Sequence, residues 1–173
     1  MNNIILIGFM AVGKSTVAKS LRQNIHFNLF DIDRMVEEQE KMSIASLFME
    51  KGEAYFREKE AEAAKMVLSR NNSIVSFGGG LFLNPEIREM ALRDNFVVFL
   101  DLNLREVFRR IRRNDKRPLA RSLSFRELKA LYEKRLPAYR LAHFHVRGDR
   151  KRPAQTAEEI AQAYYRWLDK EKV

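Results

Sequence analysis

Residues 8–16 combine glycines, a lysine and two hydroxyl side chains at a spacing that binds phosphate. They read GFMAVGKST, which matches the pattern G-x-x-x-x-G-K-S/T between a predicted strand and a predicted helix. Glycines let backbone N–H groups turn inward around an anion, and the helix start adds N–H groups and a positive dipole. A chance glycine-rich turn is the alternative. The motif predicts a nucleoside triphosphate site formed by Ala11, Val12, Gly13, Lys14, Ser15 and Thr16.

Three side chains of this loop have distinct expected roles. Lys14 can reach the β- and γ-phosphates, Ser15 can ligate Mg²⁺, and Thr16 can help to hold the α-phosphate. The motif leaves the second substrate open.

Two aspartates follow the next apolar stretch. One residue separates Asp31 from Asp33, so both side chains point to one side if the chain is still extended there. Beside a nucleotide, one carboxylate can hold metal-bound water while the other accepts a hydrogen bond or a proton from an attacking hydroxyl. Asp is also a preferred N-cap, so Asp33 can instead cap the helix that follows. The two roles are compatible.

The elements that must position these groups alternate between short apolar stretches and longer helical patterns. The apolar stretches predict strands at residues 3–8, 27–31, 73–77 and 95–100. The helical patterns cover residues 14–23, 33–41, 43–51, 53–70 and 85–92. Two capping-box patterns, Ser124 with Glu127 and Thr156 with Glu159, predict two further helix starts. This alternation is typical of an α/β fold with a mainly parallel sheet, in a single domain over residues 1–173. Such sheets bind ligands at the carboxyl ends of their strands, where Gly8, Asp31 and Gly78 fall.

The composition and charge of the chain exclude several kinds of site and favour certain partners. The 173 residues contain no Cys, which excludes a disulfide framework and a thiolate metal site, and the His residues show no metal-ligand spacing. No apolar run approaches the ~20 residues of a membrane span. The N-terminus also lacks the basic start of a secretory signal, so we expect a cytoplasmic protein that binds no membrane. The net charge of +9 favours anionic partners, and with no apolar surface helix left over we expect a monomer.

These motifs resemble the shikimate kinase family along nearly the whole chain. The resemblance rests on the phosphate loop, the Asp31-Ile32-Asp33 segment, and GEAYFREKE at 52–60, GGG at 78–80, RPL at 117–119 and RLPAY at 135–139. The phosphate loop alone occurs in many kinases, whereas the combination is much more specific. The resemblance implies a three-layer α/β/α fold with a five-stranded parallel sheet, of the nucleoside monophosphate kinase type. It further implies a substrate-binding subdomain at about 33–60 and a mobile lid at about 112–124.

The resemblance also implies an activity and its residues. The reaction would transfer the γ-phosphate of ATP, with Mg²⁺, to the 3-hydroxyl of shikimate, a step of aromatic amino-acid biosynthesis. The family's substrate-binding positions match Asp33, Arg57, Glu60, Gly78, Gly79, Gly80 and Arg135, and its Mg²⁺ positions match Ser15 and Asp31. Arg117 matches the lid arginine that meets the nucleotide phosphates, and the adenine-binding surfaces match Arg110 and the segment near Lys151 and Pro153. Catalysis would rest on Lys14, Asp33 and Arg117.

These residue types suit that substrate. Arginine supplies the planar, bidentate donor that a carboxylate needs, and a triple glycine lets backbone N–H groups approach a small ligand closely. Arg57 can also be a solvated residue of a charged helix, and Gly78–Gly80 an ordinary tight turn. The family usually has Gly where this chain has Ala11, so we expect nucleotide binding to survive if the φ of Ala11 is negative.

Three other functions stay open: phosphorylation of another hydroxy acid, nucleotide binding without catalysis, and nucleic-acid binding. A kinase on the same scaffold can act on another hydroxy acid such as gluconate, and a non-catalytic nucleotide-binding protein can share the fold. Residues 105–121 hold eight basic side chains and a single aromatic residue, Phe108. Nucleic-acid surfaces interleave several aromatic residues with the charges, so this segment favours the lid and we expect no nucleic-acid partner.

Overall fold

Five parallel strands form the centre of the computed structural model, which describes residues 2–113 and 118–170. The strands are β1 (Ile4–Ile7), β2 (Asn28–Asp31), β3 (Ser73–Ser76), β4 (Phe96–Asp101) and β5 (Phe144–Arg147). Their order across the sheet is β2-β3-β1-β4-β5. Because β1 is central, the phosphate loop that follows it lies between the loops that follow β3 and β4 at the carboxyl edge.

Helices cover both faces of this sheet. The described helices are α1 (Lys14–Ile25), α2 (Ile32–Glu40), α3 (Ile44–Glu50), α4 (Gly52–Leu68), α5 (Pro85–Asp94), α6 (Leu104–Arg112), α7 (Pro118–Arg121), α8 (Phe125–Tyr139) and α9 (Pro153–Lys170), with a short 3-10 helix at Leu81–Leu83. Helix α1 packs against α9, and α4 packs against α2, α3 and α5. Within the described part of the chain, no helix is both long and apolar enough to cross a membrane.

The central strands are buried on both faces, as their apolar sequences predict. Each side chain of β1 is at most 1% exposed, and Ile5 lies opposite Val75 of β3 and Val97 of β4. Burial of a large aliphatic side chain stabilises a fold by roughly 1.5–3 kcal/mol. The buried sheet therefore stabilises the positions of the loops at its carboxyl edge.

The structure confirms the four predicted strands and the five predicted helices to within two residues at each end. The capping box at Ser124 is also confirmed. The Ser124 hydroxyl accepts a hydrogen bond from the Glu127 N–H at 3.2 Å, and Glu127 Oε2 accepts one from the Ser124 N–H at 2.7 Å.

The predicted helix start at Thr156 is wrong. Helix α9 begins three residues earlier, at Pro153, and Thr156 is buried inside it. Proline fixes a φ that suits the first helical turn and needs no N–H partner there. The Gln155 side chain accepts a hydrogen bond from the Arg152 N–H at 2.8 Å, so Gln155 takes the reach-back role that the pattern gave to Glu159.

Candidate active site

The loop after β1 has the backbone shape of a phosphate cradle. Gly8 has φ +145°, and a side chain there would collide with the Leu100 carbonyl oxygen. Lys14 is nearly buried, and its Nζ donates hydrogen bonds to the Gly8 and Phe9 carbonyls, each at 2.9 Å. The loop therefore curls around the amine that is expected to bind phosphate.

Ala11 lies in this loop with φ +59°, in the left-handed region. A residue with a side chain costs roughly 1–2 kcal/mol in that region relative to the right-handed one. The condition stated above for nucleotide binding, a negative φ at Ala11, is therefore not met. The loop carries local backbone strain at this residue.

The hydroxyl and the first aspartate meet directly. Ser15 Oγ donates to Asp31 Oδ2 at 2.6 Å, and Asp31 Oδ1 accepts the Arg34 N–H at 3.4 Å as the N-cap of α2. A hydroxyl and a carboxylate are hard oxygen donors, and Mg²⁺ in nucleotide sites takes only one or two protein ligands beside water and phosphate. The Ser15–Asp31 pair fits that ion.

Asp33 lies in the first turn of α2, because that helix begins directly after β2. The chain is not extended at Asp33, so strand alternation does not explain its position. The N-cap is Asp31, so the interpretation of Asp33 as only a helix cap is wrong. Helix α2 instead brings Asp33 Oδ1 to within 2.5 Å of where a Cβ on Gly78 would lie. One carboxylate thus faces Ser15, and the other faces the glycines after β3.

Glu60 of α4 contacts the same glycine. A Cβ on Gly78 would collide with Glu60 Oε1, so a larger residue there would displace this carboxylate. Glu60 is 1% exposed, and burial raises the pKa of its carboxyl to about 7, with Asp33 adding to the rise and Arg57 opposing it. Its Oε2 accepts a hydrogen bond from Arg57 Nη1 at 2.7 Å, whereas its Oε1 has no partner.

Arg57 is held by two carboxylates of its own helix. Besides the bond to Glu60, its Nε and Nη2 donate to Glu53 Oε1 at 3.3 and 3.1 Å. Its guanidinium carbon lies 5.2 Å from the Phe56 ring centroid. A Cβ on Gly80 would come within 2.7 Å of Arg57 Nη1. The guanidinium therefore packs against the glycine segment. This contact distinguishes Arg57 from an ordinary solvated residue of a charged helix.

Arg135 of α8 also reaches the glycines. Its Nη1 donates to the Gly79 carbonyl at 3.0 Å, and its Nε is buried without a partner. Its guanidinium carbon lies 5.5 Å from the Phe9 ring centroid. Tyr139, one turn later, donates to the same carbonyl. A Cβ on Gly79 would lie 3.4 Å from the Met10 N atom, which places this arginine beside the phosphate loop.

The structure thus gathers acidic and guanidinium side chains around residues 78–80, next to a loop shaped for phosphate. An anionic acceptor and a nucleotide can meet there. A family model described as "Shikimate kinase" matches residues 10–165. The chain belongs to the shikimate kinase family. Among curated shikimate kinases, that of Sulfurihydrogenibium sp. is 39% identical over 160 residues, covering 92% of this chain and 96% of the relative. That of Persephonella marina is also 39% identical over 160 residues, covering 92% and 97%.

Solved shikimate kinases share the fold. A shikimate kinase from Acinetobacter baumannii in complex with shikimate superposes with a TM-score of 0.89 at 28% identity, covering 94% of this chain and 92% of that one. The Aquifex aeolicus shikimate kinase gives a TM-score of 0.83 at 36% identity, covering 92% and 94%. A gluconokinase from Sinorhizobium meliloti gives 0.60 at 15% identity, covering 98% and 97%, which shows a shared fold alone.

The residues expected at the nucleotide base fall in two different places in this structure. Arg110 Nη1 donates to the Ala11 and Val12 carbonyls at 3.3 and 3.4 Å, so Arg110 lies on the phosphate loop. Lys151 pairs with Glu159 of α9 at 2.7 Å, and this ion pair ties it to that helix. Arg117 lies outside the described residues, as do residues 114–116 of the expected lid. Its role and the mobility of 112–124 stay predictions.

Two side chains that support the site have no role in the predictions from the sequence. Tyr139 shares the Gly79 carbonyl with Arg135. Their spacing of four residues places both side chains on one face of the helix, and this spacing could have indicated the shared contact. Glu53 likewise precedes Arg57 by four residues and holds the guanidinium on the side away from Glu60.

Proposed function

We propose that this chain transfers the γ-phosphoryl group of ATP to the 3-hydroxyl of shikimate. The acceptor oxygen forms a bond to the γ-phosphorus, the bond from that phosphorus to the bridging oxygen of ADP breaks, and the acceptor proton passes to a carboxylate. Family membership supports the reaction, and the geometry at residues 78–80 supports the acceptor class.

One observation carries the choice of acceptor. In the described part of the chain, the buried side-chain N and O atoms without a hydrogen-bond partner are Glu60 Oε1 and Arg135 Nε. Glu60 Oε1 lies against Gly78, and the arginine that carries the unpaired Nε donates to the Gly79 carbonyl through Nη1. An unpaired buried polar group costs about 1–3 kcal/mol, and a ligand that supplies the missing partner removes this cost. A small ligand with a carboxylate and several hydroxyls supplies both an acceptor for arginine and a donor for the carboxyl.

Charge recognition follows from the two arginines. Arg135 Nη1 donates to the Gly79 carbonyl, while its buried Nε has no hydrogen-bond partner. A planar guanidinium binds a carboxylate through two parallel hydrogen bonds, which a point charge cannot do. Arg57 adds a second guanidinium at Gly80.

Asp33 is the residue that receives the acceptor proton in this proposal. It is partly exposed, lies within reach of the glycine segment and follows Asp31 by two residues. A general base must lie within hydrogen-bond reach of the hydroxyl that it deprotonates. Asp31 is the N-cap of α2 and Asp33 lies in its first turn, so the start of one helix fixes both the metal side and the acceptor side of the reaction.

The phosphate loop, with Lys14 as its cation, binds the triphosphate in this account. Ser15 and Asp31 would hold Mg²⁺, which when bound supplies positive charge to the phosphate oxygens. Lys14 moves from the loop carbonyls to the phosphate, since both compete for the same three N–H donors.

We also propose that the protein is a cytoplasmic monomer that binds neither nucleic acid nor membrane. The large exposed apolar side chains belong to several different segments of the chain, which supports a monomer. Among the described residues they are Met49, Met66, Phe125, Leu141 and Tyr165.

A coupled assay of ADP release tests the function. The purified protein is given ATP and Mg²⁺ with shikimate, with gluconate, or with no acceptor, and Lys14→Ala serves as the control for contaminating kinases. We expect release to depend on shikimate and to be at least ~100-fold slower with gluconate, because a site built to pair specific polar groups rejects analogues that leave them unpaired. Faster release with gluconate, or equal release without an acceptor, would contradict the proposal.

A further inference from the structure

Glu106 lies on α6 between two arginines. Its Oε1 and Oε2 accept hydrogen bonds from Arg109 Nη2 and Nε, each at 2.8 Å, and its Oε1 also accepts one from Arg110 Nε at 2.9 Å. These bonds lower the pKa of the Glu106 carboxyl to about 2. Glu106 is therefore ionised at neutral pH, and it holds Arg110 through Nε.

The other end of Arg110 lies on the phosphate loop. Its Nη1 donates to the Ala11 carbonyl at 3.3 Å and to the Val12 carbonyl at 3.4 Å. The same atom is 3.5 Å from where a Cβ on Gly13 would lie. One guanidinium thus connects a carboxylate of α6 to two consecutive peptide groups of the loop.

Peptide planarity gives these two bonds a consequence. In a trans peptide the C=O of one residue and the N–H of the next point in opposite directions. When the Ala11 and Val12 carbonyls face Arg110, the N–H groups of Val12 and Gly13 face away from it. Inward N–H groups form the anion nest of a phosphate loop.

We propose that Glu106 is a positioning residue for nucleotide binding. It fixes Arg110 across the outer side of the phosphate loop, and Arg110 in turn fixes the two peptide groups whose N–H groups face the phosphates. The left-handed conformation of Ala11 makes this restraint useful, because the strained peptide would otherwise relax toward a more favourable φ. The inference rests on the nucleotide half of the proposed function and not on the identity of the acceptor.

Charge alone predicts the opposite effect of Glu106. A carboxylate next to a phosphate site repels the nucleotide, so its neutralisation should tighten binding. If Glu106 positions Arg110, the same substitution should weaken binding. The sign of the change therefore separates the two explanations.

The test measures the dissociation constant of Mg²⁺–ADP by calorimetry, without shikimate. We expect Glu106→Gln to weaken ADP binding about threefold and Glu106→Ala about tenfold, since loss of a charge-assisted hydrogen bond is partial in the first and complete in the second. Glu86→Gln is the matched control, because it removes an equal charge from an exposed ion pair with Lys65 at 2.6 Å on α5. Its ADP affinity should stay within twofold of the wild type.

Steady-state kinetics give the second readout. The KM for ATP should rise in the Glu106 variants while the KM for shikimate and the melting temperature stay near the wild-type values, because an exposed ion pair contributes little to stability. Unchanged or tighter ADP binding in both variants would overturn the proposal. So would an equal loss of ADP and shikimate affinity, which indicates a general structural defect. ADP binding can be measured even if the chain fails to phosphorylate shikimate, so the two proposals fail separately.

Discussion

Replacement of Glu60 by Gln should change how the stability of the protein depends on pH. The Glu60 carboxyl has a pKa of about 7 in the folded chain against an ordinary value of 4.5, chiefly because burial disfavours the charged form. Between these two values the folded state holds a proton that the unfolded state has lost. The free energy of unfolding therefore falls as the pH rises, by about 3 kcal/mol between pH 4 and pH 8.

Urea unfolding at pH 4, 5, 6, 7 and 8 measures this effect. Glu60→Gln cannot ionise, so the free energy of unfolding of the variant minus that of the wild type should increase by about 3 kcal/mol over this range, mostly between pH 5 and pH 7. Glu62→Gln, an exposed change on the same helix, provides the control. A difference that does not vary with pH would show that Glu60 is ionised throughout, and the account of its burial would be wrong.

Three further substitutions test the site. Lys14→Ala should lower kcat at least ~10³-fold, since it removes the cation nearest the phosphates, with circular dichroism confirming an intact fold; near-normal turnover would remove Lys14 from the mechanism. Arg135→Lys keeps the charge but loses the planar fork, so the KM for shikimate should rise about tenfold, and an unchanged KM would place the substrate carboxylate elsewhere. Ala11→Gly should raise the free energy of unfolding by about 0.5–1 kcal/mol, because glycine adopts a positive φ without strain; a loss of stability in urea unfolding would contradict the left-handed conformation.

The phosphate loop and the central strands could be predicted because their signals are local. The loop motif combines a fixed spacing with a strand before it and a helix after it, and β1 and β4 are continuous apolar runs. The strand β5 has no such signal, since only Val146 of its four residues is buried. It is an edge strand that pairs with β4 alone, so its sequence is not constrained to be apolar.

The expectations at Thr156 and Ala11 failed because a local sequence pattern does not determine the structure there. Thr156 and Glu159 fit a capping box, but Pro153 and Gln155 begin the same helix one turn earlier. The φ of Ala11 depends on how the whole loop closes, which no residue pattern states.

The contacts that assemble the site depend on the fold as a whole. Arg57, Asp33 and Arg135 lie far apart in the chain and meet at the glycines after β3 only because α2, α4 and α8 surround that edge. The residue types could be predicted from the resemblance, whereas the unpartnered atoms of Glu60 and Arg135 became visible only in three dimensions.

The measurement that tests the central claim most directly is ³¹P NMR of the products formed from ATP and shikimate. The account predicts one phosphorylated acid, with the phosphorus coupled to the proton on C3, and a rate at least ~10²-fold lower for Asp33→Asn while the ADP affinity of that variant stays within about twofold. The conservative Asp33→Asn change keeps the side-chain shape, so it tests the carboxylate itself. Phosphate on another hydroxyl, no phosphorylated acid at all, or an Asp33→Asn variant as fast as the wild type would contradict the account.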